Sequence, residues 1–181
     1  TYGQNVVSIK KLQEEWNSLG DDFDKKKQFI IDNEAEFKKL DVSITNVNEA
    51  ENLLVENTDA FIQALKERAL ATAGEKLATE QYSQMIIKRV EAENKQKEAD
   101  EARKNSEIAL YQNLQDTRYG EMKSRDQLVE QHAKSIETEA NNLNAEAEAY
   151  KAAGDAYLDY SLKQNEAART TLQNAAIEEA T

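Results

Sequence analysis

Every seventh residue from Val129 is large: Val129, Ile136, Leu143, Tyr150 and Tyr157. Four places after each stands a small one: Ala133, Ala140, Ala147, Gly154 and Ser161. Columns that alternate at spacings of four and three over this distance form the seam of a helix lying against another helix. Proline is absent and there are only five glycines, so little in the backbone stops helices from running far. The predicted fold class is all-α: a small helical head followed by a long antiparallel two-helix coiled-coil hairpin.

The seam predicts its partner. From Thr58 to about Thr117 only Gly74 weakens a helix, by about 1 kcal/mol, and at about 1.5 Å per residue such a helix is roughly 90 Å long. From Glu121 to Ala180 the one interruption is Gly154. Between them, Asp116 to Gly120 form the best turn candidate, with Tyr119 and Gly120 at the reversal, because glycine takes the left-handed conformation at little cost. Reversal there sets Val129 against Leu110, Ile136 against Arg103, Leu143 against Gln96, Tyr150 against Arg89 and Tyr157 against Tyr82. The small column then meets Ser106, Ala99, Ala92, Met85 and Ala78, with Met85 filling the space left at Gly154. Each a-type position faces a d-type position, as an antiparallel pair requires. The rival layout is a parallel coiled coil continuing through Gly120. Glu91 to Glu107 is charged almost throughout, with Ala92, Ala99 and Ala102 its only apolar residues, so the centre of the seam is weak.

Residues 1–57 have a different texture and read as a compact three-helix head, with residues 58–181 forming the hairpin. Ile9, Leu12, Trp16 and Leu19 line one face of a short helix that Gly20 can end. Phe23, Ile30 and Phe37 occupy a seven-residue column on a second helix closed by Leu40. Asn46 and Glu49 form a capping pair for a third helix carrying Val47, Ala50, Leu53 and Leu54. Asn57-Thr58 offers a further cap before Phe61. The predicted head core is Ile9, Leu12, Trp16, Phe23, Ile30, Phe37, Leu53 and Phe61.

A net charge of −12 argues against direct binding to nucleic acid or to an anionic membrane surface. No apolar run is long enough to span a bilayer, and no signal peptide is visible. Without cysteine there is no disulfide framework. The chain opens Thr1-Tyr2-Gly3 rather than on methionine, and is expected to be a piece of a longer protein or a processed product.

Candidate chemistry is sparse. His132 is the only histidine, and the residue three before it is Val129, so the paired Glu-x-x-His motifs of a di-iron bundle are missing. It reads as a solvated flank of the seam. Glu137, Glu139, Glu146, Glu148, Glu178 and Glu179 read as a charged face rather than an acid–base pair converging in a pocket. No glycine-rich phosphate loop occurs. Lys25 to Lys27 and Lys88-Arg89 sit beside acidic residues, as on a mixed-charge helix face. Tyr150, Tyr157 and Tyr160 could stack, but two of them fall at core spacing. No catalytic residue, cofactor or metal is expected, and an enzyme is the class least expected.

The stretches Lys27-Gln28-Phe29-Ile30, Asn33 to Leu40 (NEAEFKKL), Asn46 to Leu54 (NVNEAENLL), Asn57 to Ala69 (NTDAFIQALKERA) and Leu172 to Ala180 (LQNAAIEEA) carry a resemblance. Together they resemble a helical segment of tail tape measure proteins encoded by phages and prophages of Bacteroidetes-type bacteria, over about a third of the chain. At Asp41 and Ala176 the chain departs from the pattern, which has glycine there. The resemblance implies a long, mainly helical protein that occupies a phage tail lumen, helps set tail length and leaves on DNA ejection. It implies tail components or further copies as partners, and a location in the bacterial cytoplasm during assembly, then the virion tail. The residues alone leave open two other roles. One is an adaptor whose head, around Trp16, Phe29 and Phe37, binds a partner protein. The other is a segment of an extracellular or secretion-associated coiled coil.

Overall fold

The computed structural model describes residues 1–113 and 119–180, and the side chains outside 106–124. Among the described residues the chain is all-helical, with six α-helices and one π-helical turn. Two compact units divide it: Thr1–Lys76 with Tyr157–Thr181, and Leu77–Ala156.

In the first unit, α1 (Tyr2–Ser18) starts in a capping box between Thr1 and Gln4. It ends before Gly20, whose φ of 56° lies in the left-handed region. Asp22 caps α2 (Phe23–Asp32), its Oδ1 accepting from the Lys25 amide at 3.1 Å. The helix expected to run unbroken to Leu40 instead stops at Asn33, and α3 (Glu34–Lys39) follows. At the break Asn33 leaves the helical region, with φ −108° and ψ 11°, and the Phe29 carbonyl accepts from both its backbone amide and its side-chain amide at 3.0 Å.

Asn46 caps α4 (Val47–Glu51), accepting from the Glu49 amide at 2.9 Å. The Glu49 carboxylate reaches back to Thr45, taking its amide at 2.6 Å and its hydroxyl at 2.9 Å. A π-helical turn over Asn52–Glu56 then leads to α5 (Thr58–Asn113). Widening the helix there buries both Leu53 and Leu54 completely. It is closed by the Thr58 hydroxyl donating to the Leu53 carbonyl at 3.0 Å. The last helix, α6, spans Tyr119–Asn174.

The core of this unit gathers Ile9, Leu12, Trp16, Ile30, Phe37, Leu53 and Phe61, as the apolar spacing predicts, together with Phe29. Trp16 and Phe29 meet edge to face at 5.5 Å, and Phe29 and Phe37 at 6.4 Å. The Trp16 indole N–H donates to Glu51 at 2.8 Å, and Lys26 lies 4.9 Å above the ring. Phe23 is the exception. It opens α2 beyond the reach of the core and is 55% exposed, with Lys27 over its ring. The break at Asn33 also removes the continuous helix on which its column with Ile30 and Phe37 depended.

The unit does not end at residue 57. Phe61, Ala64 and Leu65 of α5 and Ala168 and Leu172 of α6 bring one apolar stripe each into the core, and Ala175 and Ile177 complete it. Within this unit the two long helices pack side by side in opposite directions. The Thr171 hydroxyl donates to Glu67 at 3.1 Å, and a Cβ at Gly74 would lie 3.2 Å from Ser161 Cβ.

Candidate functional site

The second unit is the helix pair alone, and its seam is made of small residues. Ala78, Ala92 and Ala99 of α5 are buried, as are Ala133, Ile136, Ala140, Ala147 and Gly154 of α6. Val129, Leu143 and Tyr150, with Tyr82 and Met85, are half-buried. Leu110 lies among the residues whose side chains are not described. In the first unit Tyr157 is 38% exposed, whereas Ser161 is fully buried, its hydroxyl 3.4 Å from Glu75.

The register differs from the expected one by about a turn. Tyr82, not Met85, fills the space at Gly154, where an added Cβ would stand 2.6 Å from the ring. Ala99 clusters with Ala133 and Ile136 rather than with Ala140. A slip of three or four residues exchanges one heptad column for the other and keeps the same face inward. The periodicity therefore fixes the face without fixing the register. The expected turn residues Tyr119 and Gly120 are the first residues of α6. The rest of the expected turn, Asp116 to Arg118, lies outside the described residues.

Ion pairs flank this alanine seam. Arg103 of α5 takes Glu130 with two nitrogens, Nε at 3.1 Å and Nη2 at 3.3 Å, and bonds Glu137 through Nη1. Those bonds hold both carboxyl groups below their ordinary range and the guanidinium above its own. Lys95 bridges Glu98 at 3.1 Å and Glu139 at 3.3 Å, and Lys88 reaches Glu146 at 3.1 Å. Arg89 meets Glu148 at 2.7 Å. The Tyr82 hydroxyl donates to Asp155 at 2.8 Å, a bond that raises the phenol and lowers the carboxyl. The partners run from Asp155 for Tyr82 down to Glu130 for Arg103, so the two helices run antiparallel here too.

Two left-handed turns lie together in the first unit. Asp41 has φ 63° and Ala176 φ 53°. In each, the next residue's amide reaches back five places, Val42 to Phe37 at 3.2 Å and Ile177 to Leu172 at 3.0 Å. The amides of Asp41 and Ala176 reach back three, to Lys38 and Gln173. This is the Schellman pattern, with its apolar contact buried in the core. The two segments leaving the turns then pair through a bridge at Val42 and Glu179. Ser43 donates to Glu178 at 3.0 Å and Ala180 to Asp41 at 3.2 Å. Asn52 caps the carbonyls of Ala175 and Ala176, and Arg68 joins Asp41 to Glu179.

No family model, curated protein or solved structure matches the chain.

The geometry alone therefore speaks for the site. Among the described residues no cluster of histidine, cysteine or carboxylate side chains is placed to hold a metal, and His132 is exposed. No described helix is long and apolar enough to cross a membrane. The Arg103 clamp and the tie between the two turns escape periodicity arguments. A signal for the second was present in Ala168, Leu172 and Ala175, spaced four and three at the end of the chain.

Proposed function

We propose that this chain is a non-enzymatic structural segment of a phage or prophage tail tape measure protein, acting through helix packing in tail assembly and length determination. One observation carries the reading. The two positions at which the resembled pattern has glycine, Asp41 and Ala176, are the two non-glycine residues with positive φ among the described residues. That coincidence supports reading the resemblance as one of backbone rather than of composition. On this reading the packed pair is a coiled-coil hairpin, a stored form of a segment whose extended length is larger. Its partners are tail components or further copies, met first in the bacterial cytoplasm and then in the virion tail.

The test is genetic and morphological. In a parent phage, in-frame removal of Leu77–Ala156 should shorten the tail by about 120 Å if the segment counts as extended helix at about 1.5 Å per residue. Tails of unchanged length would refute a role in length determination. Failure to detect the chain in purified particles by mass spectrometry would refute the tail assignment.

The second reading is an adaptor that binds a partner protein through the head. Trp16, Phe29 and Phe37 are buried, and on this reading the seat is a groove of about 340 Å³ beside Ile30, Ile31, Val42 and Ile44. Ile31→Glu should abolish partner capture if this reading holds, and leave tail assembly intact if it does not.

A further inference from the structure

In the second unit α5 carries a second heptad stripe, turned away from α6. Glu80, Ser83, Ile87, Val90, Asn94 and Lys97 follow one another at spacings of three and four, and all are exposed. Ile87 and Val90 at its centre are 47% and 51% exposed, and the adjoining Ile86 57%. Isolated exposed aliphatics are ordinary, but a heptad stripe of this kind is the form of a helix–helix contact.

The order of residues along the stripe states what covers it. Laid antiparallel on itself, with the two-fold axis between Ile87 and Val90, it sets Ile87 against Val90 and Ser83 against Asn94. Glu80 then falls against Lys97, twice by symmetry. Neither of those charges has an ion-pair partner among the described residues, although most of their charged neighbours on the α6 side do. A parallel copy in register would instead put Glu80 against Glu80 and Lys97 against Lys97, which disfavours that arrangement.

We infer that this face of α5 is a self-recognition surface, by which two copies of the chain associate antiparallel through Glu80, Ile87, Val90 and Lys97. The contact is small and sits at the weak, reversible end of protein interfaces. This inference stands independently of the tail assignment.

Sedimentation velocity of the full chain, from about 10 to 500 µM, tests it. A monomer–dimer equilibrium is expected, with a dissociation constant on the order of tens of micromolar, weakened by salt. Ile87→Glu with Val90→Glu should leave a monomer at every concentration while circular dichroism keeps its helical signal. Glu80→Lys should weaken the dimer roughly tenfold, and adding Lys97→Glu to the same chain should restore it. Orientation is read by cysteine pairing, since the chain has no cysteine of its own. Mixed Ile87→Cys and Val90→Cys chains should form the 87–90 disulfide in preference to 87–87 or 90–90. A monomer at 500 µM, a dimer indifferent to Ile87→Glu with Val90→Glu, or predominant 87–87 pairing would each overturn the inference. Association only after addition of a different protein would overturn it as well.

Discussion

Replacing Ala176 with glycine should stabilise the first unit, and the size of the effect follows from the backbone. Ala176 holds φ 53°, where an L-residue with a Cβ is disfavoured by about 1–2 kcal/mol relative to glycine. Its side chain is exposed, so removing the methyl forfeits no packing. Its amide bond to Gln173 and the Asn52 bond to its carbonyl belong to the backbone and survive the change. Against the relief stands the wider freedom of glycine in the unfolded chain, about 0.4–1 kcal/mol. The net gain is about 0.5–1 kcal/mol. At Asp41, φ 63°, the same substitution should lie within about 0.5 kcal/mol of zero. Aspartate tolerates this region better than alanine, and its contact with Arg68 is lost. Urea unfolding followed through Trp16, the only tryptophan and part of this core, reads the unit directly. The midpoint should rise for Ala176→Gly with an unchanged slope and fall for Ala176→Val. An unchanged or lowered midpoint for Ala176→Gly would refute the assignment of a strained left-handed cap.

Three further outcomes are expected. Gly154→Ala would by helix propensity alone stabilise by about 1 kcal/mol. With the new Cβ at 2.6 Å from the Tyr82 ring it should instead lower the urea midpoint seen at 222 nm, and in a Tyr82→Ala background it should raise it. A chain ending at residue 156 should lose the cooperative Trp16 transition, and Leu172→Ala should cost about 2–5 kcal/mol by the same assay, since Leu172 lies in the head core. Glu130 and Glu137 have their carboxyl pKa lowered from 4.5, chiefly by bonds to Arg103, so their contribution is complete above pH 4.5 and is lost as pH falls below it. The acid-induced loss of stability should accordingly be smaller in Arg103→Gln, measured by urea midpoints between pH 7 and pH 3.

The helices and the inward faces were legible because period and burial obey the same geometry. Ala99, Ala140 and Ala147 stand in columns, and columns are what a packed helix preserves. Register was not legible from those columns alone. The hole at Gly154 selects the register, and either Met85 or Tyr82 would suit it on spacing. The end of α2 was hidden for another reason. Helix-forming residues surround Asn33, and its departure to φ −108° and ψ 11° shows only in three dimensions. The extent of the head was hidden because Leu172 and Ile177 lie more than a hundred residues from the helices they complete. Alanine at 176 gives no hint of a left-handed turn, and aspartate at 41 only tolerates one. Their departure from the glycine of the resembled pattern was the only sign of one.

The two units are held by different chemistry, which sets the order in which they open. The first closes aromatic and branched side chains around Trp16, Phe37 and Phe61, each nearly or fully buried. The second closes mostly alanine, whose single methyl contributes on the order of 0.8 kcal/mol when buried. Its flanking ion pairs are half-exposed and screened by salt, so they choose partners and direction more than they stabilise. Long helices in water depend on a packed apolar face, and here that face is thin. Residues 77–156 should therefore exchange their amide hydrogens through openings of lower free energy than the head does. For a segment proposed to be stored in a tail and then released, an interface that is specific in direction yet weak in depth is the useful combination. On that proposal, a deeper seam of leucine and isoleucine would hold the same two helices together when the segment is released.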